Sequence, residues 1–343
     1  MRRAIVSMSI SCAVLSGAAH GAPSACRSIV ADAARLACYD AADRSLNSES
    51  TMATLDPRAV TAVLDSSASR PRAVRSTLDE QWLLRPDESG RLFALTAYRP
   101  MYVLPLFQAS RANPSPTPNW PVPVDTAAVV PDTREAKFQI SFKLKVIDDV
   151  FGAPADLWFG YTQSSRWQIF GDDAGNAFRE TDYEPEAILA IPTDYSLLGW
   201  HGRLLSVGID HQSNGRGGVL SRSWDRAIVG AAFERGAWTL SLRQWTRFDS
   251  RPRGYDNPGI ENYVGRADAV LTRDVRGHRL SALARHSLRD GDKSHGAMGF
   301  SWSFPLVSNL HGFVEVFDGY GESLLDYDFR ARYFGVGVML QQW

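Results

Sequence analysis

Strict two-residue alternation with charged polar members constrains this chain more than any other feature. Phe138, Ile140, Phe142, Leu144 and Val146 alternate with Lys137, Gln139, Ser141, Lys143 and Lys145. Met298, Phe300, Trp302 and Phe304 alternate in the same way with Ala297, Gly299, Ser301 and Ser303, and Trp238, Leu240 and Leu242 with Thr239, Ser241 and Arg243. Successive side chains of a strand point to opposite faces, so each segment has an apolar side and a polar side. A soluble β-sandwich alternates too, but does not call for a polar face as rich in Lys as 137–145. In a membrane barrel the apolar side meets lipid and the polar side lines the interior. Twelve such segments begin near 91, 136, 156, 186, 203, 222, 237, 262, 278, 294, 310 and 330, each near the ~9–11 residues of a tilted spanning strand. The expected fold is all-β, a twelve-stranded antiparallel transmembrane β-barrel over residues 90–343. An even count returns both ends to the periplasm. The external loops then fall near 109–135, 170–183, 214–221, 249–261, 289–293 and 318–329. Ten tryptophans, mostly near strand ends, suit aromatic girdles.

Composition excludes several other classes. Beyond the N-terminus no run of about 18 apolar residues exists for a spanning helix. A formal net charge of -1 gives no argument for nucleic acid. Met1-Arg2-Arg3, the apolar stretch to Gly17 and the small residues around Gly21-Ala22 read as a signal peptide over 1–21. Residues 22–89 read as a periplasmic segment and linker with a short helix over 29–36. Removal of the signal takes Cys12 away and leaves Cys26 and Cys38, which in an oxidising compartment point to one disulfide. A straight helix would hold them about 18 Å apart, beyond the ~7 Å a disulfide spans; pairing therefore needs the chain to turn back, and two free thiols are the alternative.

Chemistry concentrates in Asp210-His211-Gln212-Ser213-Asn214-Gly215-Arg216-Gly217-Gly218-Val219-Leu220-Ser221-Arg222-Ser223-Trp224-Asp225-Arg226, two strands joined by a glycine-rich loop. Leu205, Val207, Ile209, His211 and Ser213 share one strand face, and Asp225 shares parity with Ala227, Val229, Ala231 and Phe233. Cross-strand neighbours come close enough for the acid to orient the imidazole. A hydroxyl, an imidazole and a carboxylate thus end a greasy stripe. Ester hydrolysis by a hydroxyl needs such a set, and the expected roles are Ser213 as nucleophile, His211 as general base and Asp225 as its orienter.

His-Gln-Ser-Asn-Gly-Arg followed by Ser-Arg-Ser-Trp-Asp-Arg resembles the active-site segment of the outer-membrane phospholipase A family. Tyr161-Thr162-Gln163, Phe178 to Pro185, Asp256-Asn257-Pro258 and Gly319 to Tyr327 resemble further family segments in family order. The resemblance implies an outer-membrane enzyme with phospholipase A1, phospholipase A2 and lysophospholipase activity, acting on phospholipid and lysophospholipid. It also implies an oxyanion donor at Gly215 and a Ca²⁺ site from the Ser221 hydroxyl and the Arg216 carbonyl, with the Gly175 carbonyl and the Asp256 carboxylate contributed by a partner subunit or by an adjoining part of the same chain. Hard oxygen donors suit that ion. It further implies a homodimer when active, paired through Gln163, with a monomer at rest. Asparagine is usual in the family where Asp225 stands here, and serine is common where Gly175 stands. Asp256 also reads as a turn residue, and an outward Gln163 can be satisfied by Tyr161 or a neighbouring strand.

His201, His278, His286, His295 and His311 lack ligand spacing, and neither a nucleotide loop nor a zinc pattern occurs. The rival from another class is a catalytically silent structural or channel barrel. It leaves the outward His, Ser and Asp without a purpose, and inward charges would fill its lumen. A soluble secreted esterase fails on the charged inner faces.

Overall fold

A computed structural model describes residues 31, 34, 38, 76–85, 91–118, 131–170, 178–248 and 257–340. The chain divides into two compact units, 1–73 and 74–343. In the first, Ala34 and Cys38 are helical. Cys38 is disulfide-bonded, while Cys26 and the signal segment lie outside the described residues.

The second unit is a barrel. Its strands are β1 (Leu95–Ala97), β2 (Tyr102–Ala109), β3 (Arg134–Ile147), β4 (Asp156–Trp167), β5 (Phe178–Leu197), β6 (Trp200–Ser213) and β7 (Ser223–Arg235). They continue as β8 (Trp238–Arg247), β9 (Ala267–Val275), β10 (His278–His286), β11 (Gly296–Val307), β12 (Leu310–Gly319) and β13 (Ala331–Leu340). Each pairs antiparallel with its sequence neighbour from β2 to β13, and β13 returns to β2. β1 and β2 both pair with β3, as two parts of one strand interrupted at 98–101. The result is a closed twelve-stranded antiparallel barrel, a form that leaves no spanning strand with an unpaired edge.

Two-residue turns close one end: Leu198-Gly199 and Arg276-Gly277 have φ of 53° and 79°, and 50° and 81°. These left-handed pairs match the twist of the strands they join. The longer connections gather at the opposite end, as they do on the external side of outer-membrane barrels.

Alternation sorts the walls as the sequence implies. Lys137, Ser141, Lys143 and Lys145 are buried inside, whereas Ile140, Phe159, Val207, Ile209, Phe300 and Phe334 are exposed on the outside. Arg99 pairs with Glu184 and Glu186, Arg166 with Asp182 and Glu322, and Lys137 with Glu315 and Glu322. These buried charges are tolerated because they are paired; Lys143 instead donates to the Ala97 carbonyl at 3.1 Å and lies 4.1 Å from the Trp82 ring.

Three local departures from the alternation reading have clear causes. β5 begins at Phe178 rather than near 186. Glu180 and Asp182, which fall in the expected 170–183 loop, are buried against the interior, as are Glu184 and Glu186. β9 begins at Ala267 because α2 (Ile260–Tyr263) precedes it, packing Ile260 and Val264 with Trp224, Trp245, Leu324 and Tyr327. Finally, Trp158, Trp224 and Trp245 are buried inside the barrel, so they are no part of a girdle; Trp167, Trp238 and Trp302 are the outward ones.

The short-turn end is filled by α1 (Thr77–Trp82), capped by Ser76, which accepts from the Asp79 amide at 3.0 Å. Leu78 and Leu83 pack with Trp158, Ile188 and Leu204, and the Leu78 amide donates to Glu234 at 2.9 Å. The barrel's packed interior therefore includes residues before 90.

Candidate active site on the outer wall

The β6–β7 ladder positions the candidate residues. It pairs Ile209 with Ala227, His211 with Asp225, and Ser213 with Ser223. Along β6 the stripe of Leu205, Val207 and Ile209 is exposed, and His211 and Ser213 continue its parity. His211 Nδ1 and Asp225 Oδ1 are 2.7 Å apart, with the two side chains 42% and 23% exposed. A carboxylate in that contact favours the proton on Nδ1, which leaves Nε2 as the nitrogen free to accept one. Ser213 shares the imidazole's face, and among the described residues no hydrogen bond yet joins the two; such bonds often tighten only with substrate bound.

A second row crosses the same wall. Gln163 pairs with Tyr183 and Tyr183 with Ser213, so the outward Gln163 lies two strand spacings, roughly 10 Å, from the serine. Its amide oxygen accepts from Tyr161 Oη at 3.0 Å, and its nitrogen reaches Ser165 Oγ at 3.4 Å. Within one chain, then, Gln163 is satisfied along its own strand.

Gly215 has φ of 64°, and a Cβ there would come within 3.0 Å of the Tyr183 ring. Glycine at this point keeps the backbone beside Ser213 open. The loop is held by Asn214, buried to 4%. Its side-chain oxygen accepts the amides of Arg222 at 2.9 Å and Arg216 at 3.2 Å, and its nitrogen donates to the Leu220 carbonyl at 3.0 Å. Asn257, fully buried, accepts from the Ser223 amide at 3.1 Å and donates to its carbonyl at 3.0 Å. It extends the β7 ladder like a strand residue. Neither asparagine stands out by chemistry in the sequence; the usable signal is an Asn next to glycine or proline, where its amide mimics backbone.

Gly319 to Tyr327 shows no chemistry in sequence and proves to be a plug at the long-loop end. Arg166 holds Glu322, the Leu325 amide donates to Glu180 at 2.6 Å, and Arg179 and Asn113 hold Asp326 at 2.7 and 2.9 Å.

Two groups of oxygens bear on a metal. Ser221 and Arg216 lie on the 214–222 loop, and among the described residues neither the Ser221 hydroxyl nor the Arg216 carbonyl is engaged. Both are hard donors, so what is described of that set fits calcium. Gly175 and Asp256 lie outside the described residues. Glu184, Glu186 and Asp210 also approach within 4.8 Å of one another. Arg99 bonds Glu184 and Glu186 at 2.6 Å each, and Arg226 bonds Glu184 at 2.8 Å as well as Asp210. Two guanidinium groups already occupy all three carboxylates, and we assign the cluster no metal.

A closed transmembrane barrel with an imidazole–carboxylate pair on its outward face defines a class, a membrane-embedded hydrolase. The profile of the Phospholipase A1 family matches residues 78–340. A putative phospholipase A1 of Neisseria meningitidis is 33% identical over 92% of this chain and 89% of its own length. Phospholipase A1 of Escherichia coli K12 is 34% identical over 60% of this chain and 69% of its own. Among solved structures, outer membrane phospholipase A from Escherichia coli superposes with a TM-score of 0.64 at 31% identity, covering 73% of this chain and 99% of that one. A Salmonella typhi outer membrane phospholipase dimer with bound calcium gives 0.65 at 30% identity, covering 76% and 96%. The chain belongs to the phospholipase A1 family, outer-membrane barrels that hydrolyse phospholipids.

Proposed function

We propose that this chain hydrolyses phospholipid acyl esters at the outer leaflet, with Ser213, His211 and Asp225 as the catalytic set. The observation that carries this is the 2.7 Å His211–Asp225 contact on the outward wall, beside a hydroxyl of the same face. Ser213 Oγ attacks the ester carbonyl as His211 Nε2 takes its proton. The Asp225 carboxylate stabilises the resulting imidazolium. His211 returns the proton to the departing lysophospholipid oxygen, and water then releases the fatty acid from Ser213 by the same route reversed. The Gly215 amide is the proposed donor to the developing oxyanion. The resemblance to the outer-membrane phospholipase A family extends the reading to A1, A2 and lysophospholipase activity.

Calcium fits the Arg216 carbonyl and Ser221 hydroxyl, with the Gly175 carbonyl and Asp256 carboxylate completing the proposed set. When bound it supplies positive charge near the oxyanion. The calcium-bound dimer of the Salmonella relative supports both this and homodimer formation. The Gln163–Tyr183–Ser213 row supports a dimer face that adjoins the nucleophile. Pairing would let Gln163 exchange its intrachain partner for one on the second subunit and would shelter acyl chains between barrels. Ligands that bind the dimer preferentially then favour it.

Fatty-acid release from mixed micelles carrying position-labelled phospholipid, with calcium and then with chelator, tests the reading. Release from both positions that stops on chelation is expected; calcium-independent release would remove the metal assignment. Cross-linking in detergent should show more dimer with calcium plus a serine-reactive acylating inhibitor than without. Equal yields would remove the regulated dimer.

A further inference from the structure

The outer wall carries a second feature, centred on β8 to β12, away from the proposed catalytic residues. One cross-strand row runs Ala231, Leu242, Ala269, Ala284, Met298 and Asp318 over β7 to β12. Two positions nearer the long-loop end lie Gln244, Ala267, His286 and Gly296. Two positions the other way lie Leu240, Leu271, Ala282, Phe300, Val316 and Phe334. Small side chains above a bulky ledge leave a groove of about 930 Å³, bounded at its deep end by Leu205 and Val229. Ladder rows run oblique to the barrel axis because spanning strands tilt. The groove therefore climbs from the wall toward the rim, ending at Asp318 and Arg330.

That mouth is cationic. Asp318 sits between Arg330 at 2.9 Å and Arg332 at 3.0 Å, two guanidinium groups that are 57% and 78% exposed. A third, Arg111, bonds the Arg330 carbonyl and lies 4.6 Å above the Phe329 ring. One carboxylate does not balance these charges, and Arg330 and Arg332 keep N–H groups pointing to solvent.

We propose that this groove binds an anionic phospholipid, one acyl chain lying along the alanine floor and the phosphodiester headgroup on Arg330 and Arg332. The length of the row, six strands at ~4.8 Å spacing, suits an extended chain. The forked guanidinium donors suit a phosphodiester. A free phosphate would leave the apolar floor uncovered. A second copy of this chain would bring one cationic rim toward another.

The test uses the whole protein in detergent, titrated with ether-linked phosphatidylglycerol and ether-linked phosphatidylcholine, whose chains cannot be released by ester hydrolysis. Native mass spectrometry counts bound lipid. One phosphatidylglycerol per barrel is expected, about tenfold tighter than phosphatidylcholine, whose phosphodiester is the same but whose choline cation is repelled by the two guanidinium groups. Arg330→Ala with Arg332→Ala should erase the preference. Ala284→Trp should erase the adduct, with fatty-acid release from ester substrates unchanged and serving as the control for folding. Equal binding of both lipids, or a phosphatidylglycerol adduct indifferent to all three substitutions, overturns the proposal. A dimer that disappears in Ala284→Trp assigns the groove to a second copy and overturns it equally.

Discussion

Two consecutive rungs of the β6–β7 ladder, Asp210–Arg226 and His211–Asp225, have opposite fates. Asp210 and Arg226 face inward, are 3% and 6% exposed, and join Glu184 and Arg99 in a closed ion-pair network. His211 and Asp225 face outward and are partly open. Both rungs pair a carboxylate with a cation-forming group at hydrogen-bond distance. Inside, four groups saturate one another, which holds the wall together and leaves no donor or acceptor for a substrate. Outside, the imidazole keeps one nitrogen uncommitted next to a hydroxyl. The period of two along a strand, rather than residue type, separates the structural pair from the chemically available one.

The comparison breaks most directly by substitution on each face. Ser213→Ala and His211→Ala should each lower fatty-acid release by at least about 10³-fold, with heat-modifiable gel mobility and circular dichroism unchanged. Either variant retaining full activity would end the assignment. Arg226→Ala should act in the opposite sense. Leaving Asp210 and Glu184 without this partner costs about 3–5 kcal/mol, read as a lower urea midpoint, while any folded fraction keeps its specific activity within a small factor. A stable but inactive Arg226→Ala would mean that the inner network serves catalysis.

Asp225→Asn sharpens the outer half. An amide oxygen can still accept from His211 Nδ1, so the loss should fall well short of the ~10⁴-fold seen where an amide leaves the imidazole in the wrong tautomer. A loss as deep as that of Ser213→Ala would show dependence on the carboxylate charge.

The smallest effect concerns the plug. Burial alone would raise the Glu322 carboxyl, but Arg166 and then Lys137 hold it down, from its ordinary 4.5 to about 2. A depressed carboxyl contributes stability that is fully present above about 4.5 and is lost as pH falls through about 2. The difference in urea midpoint between wild type and Glu322→Gln should thus be constant above pH 5 and shrink only below about pH 4. A difference that disappears near pH 7 would contradict the pairing.

Alternation made the barrel legible, because a period of two survives whatever fills the interior. It failed where an interior contact rewrites local character. The acids of 180–186 look solvated until Arg166, Arg99 and Arg226 are seen beside them in the interior. Trp158 reads as a girdle residue until Lys143, 5.4 Å from its ring, and α1 enclose it. At the candidate site the same rule succeeded for His211, Ser213 and Asp225, whose parity follows from spacing. It was silent on Asn214 and Asn257, which act through backbone groups of residues 8 and 34 positions away. The cationic groove is likewise invisible in sequence, since its row draws on strands from Ala231 to Asp318 that only the closed ladder aligns.

The central claim is that a lipid-facing serine is activated by His211. Labelling the intact protein in detergent with a fluorophosphonate and mapping the adduct by peptide mass tests it most directly. A single phosphonylated residue, Ser213, is expected in wild type, and none in His211→Ala. Enzyme that releases fatty acid yet is labelled at another serine, or labels Ser213 equally well without His211, would contradict it.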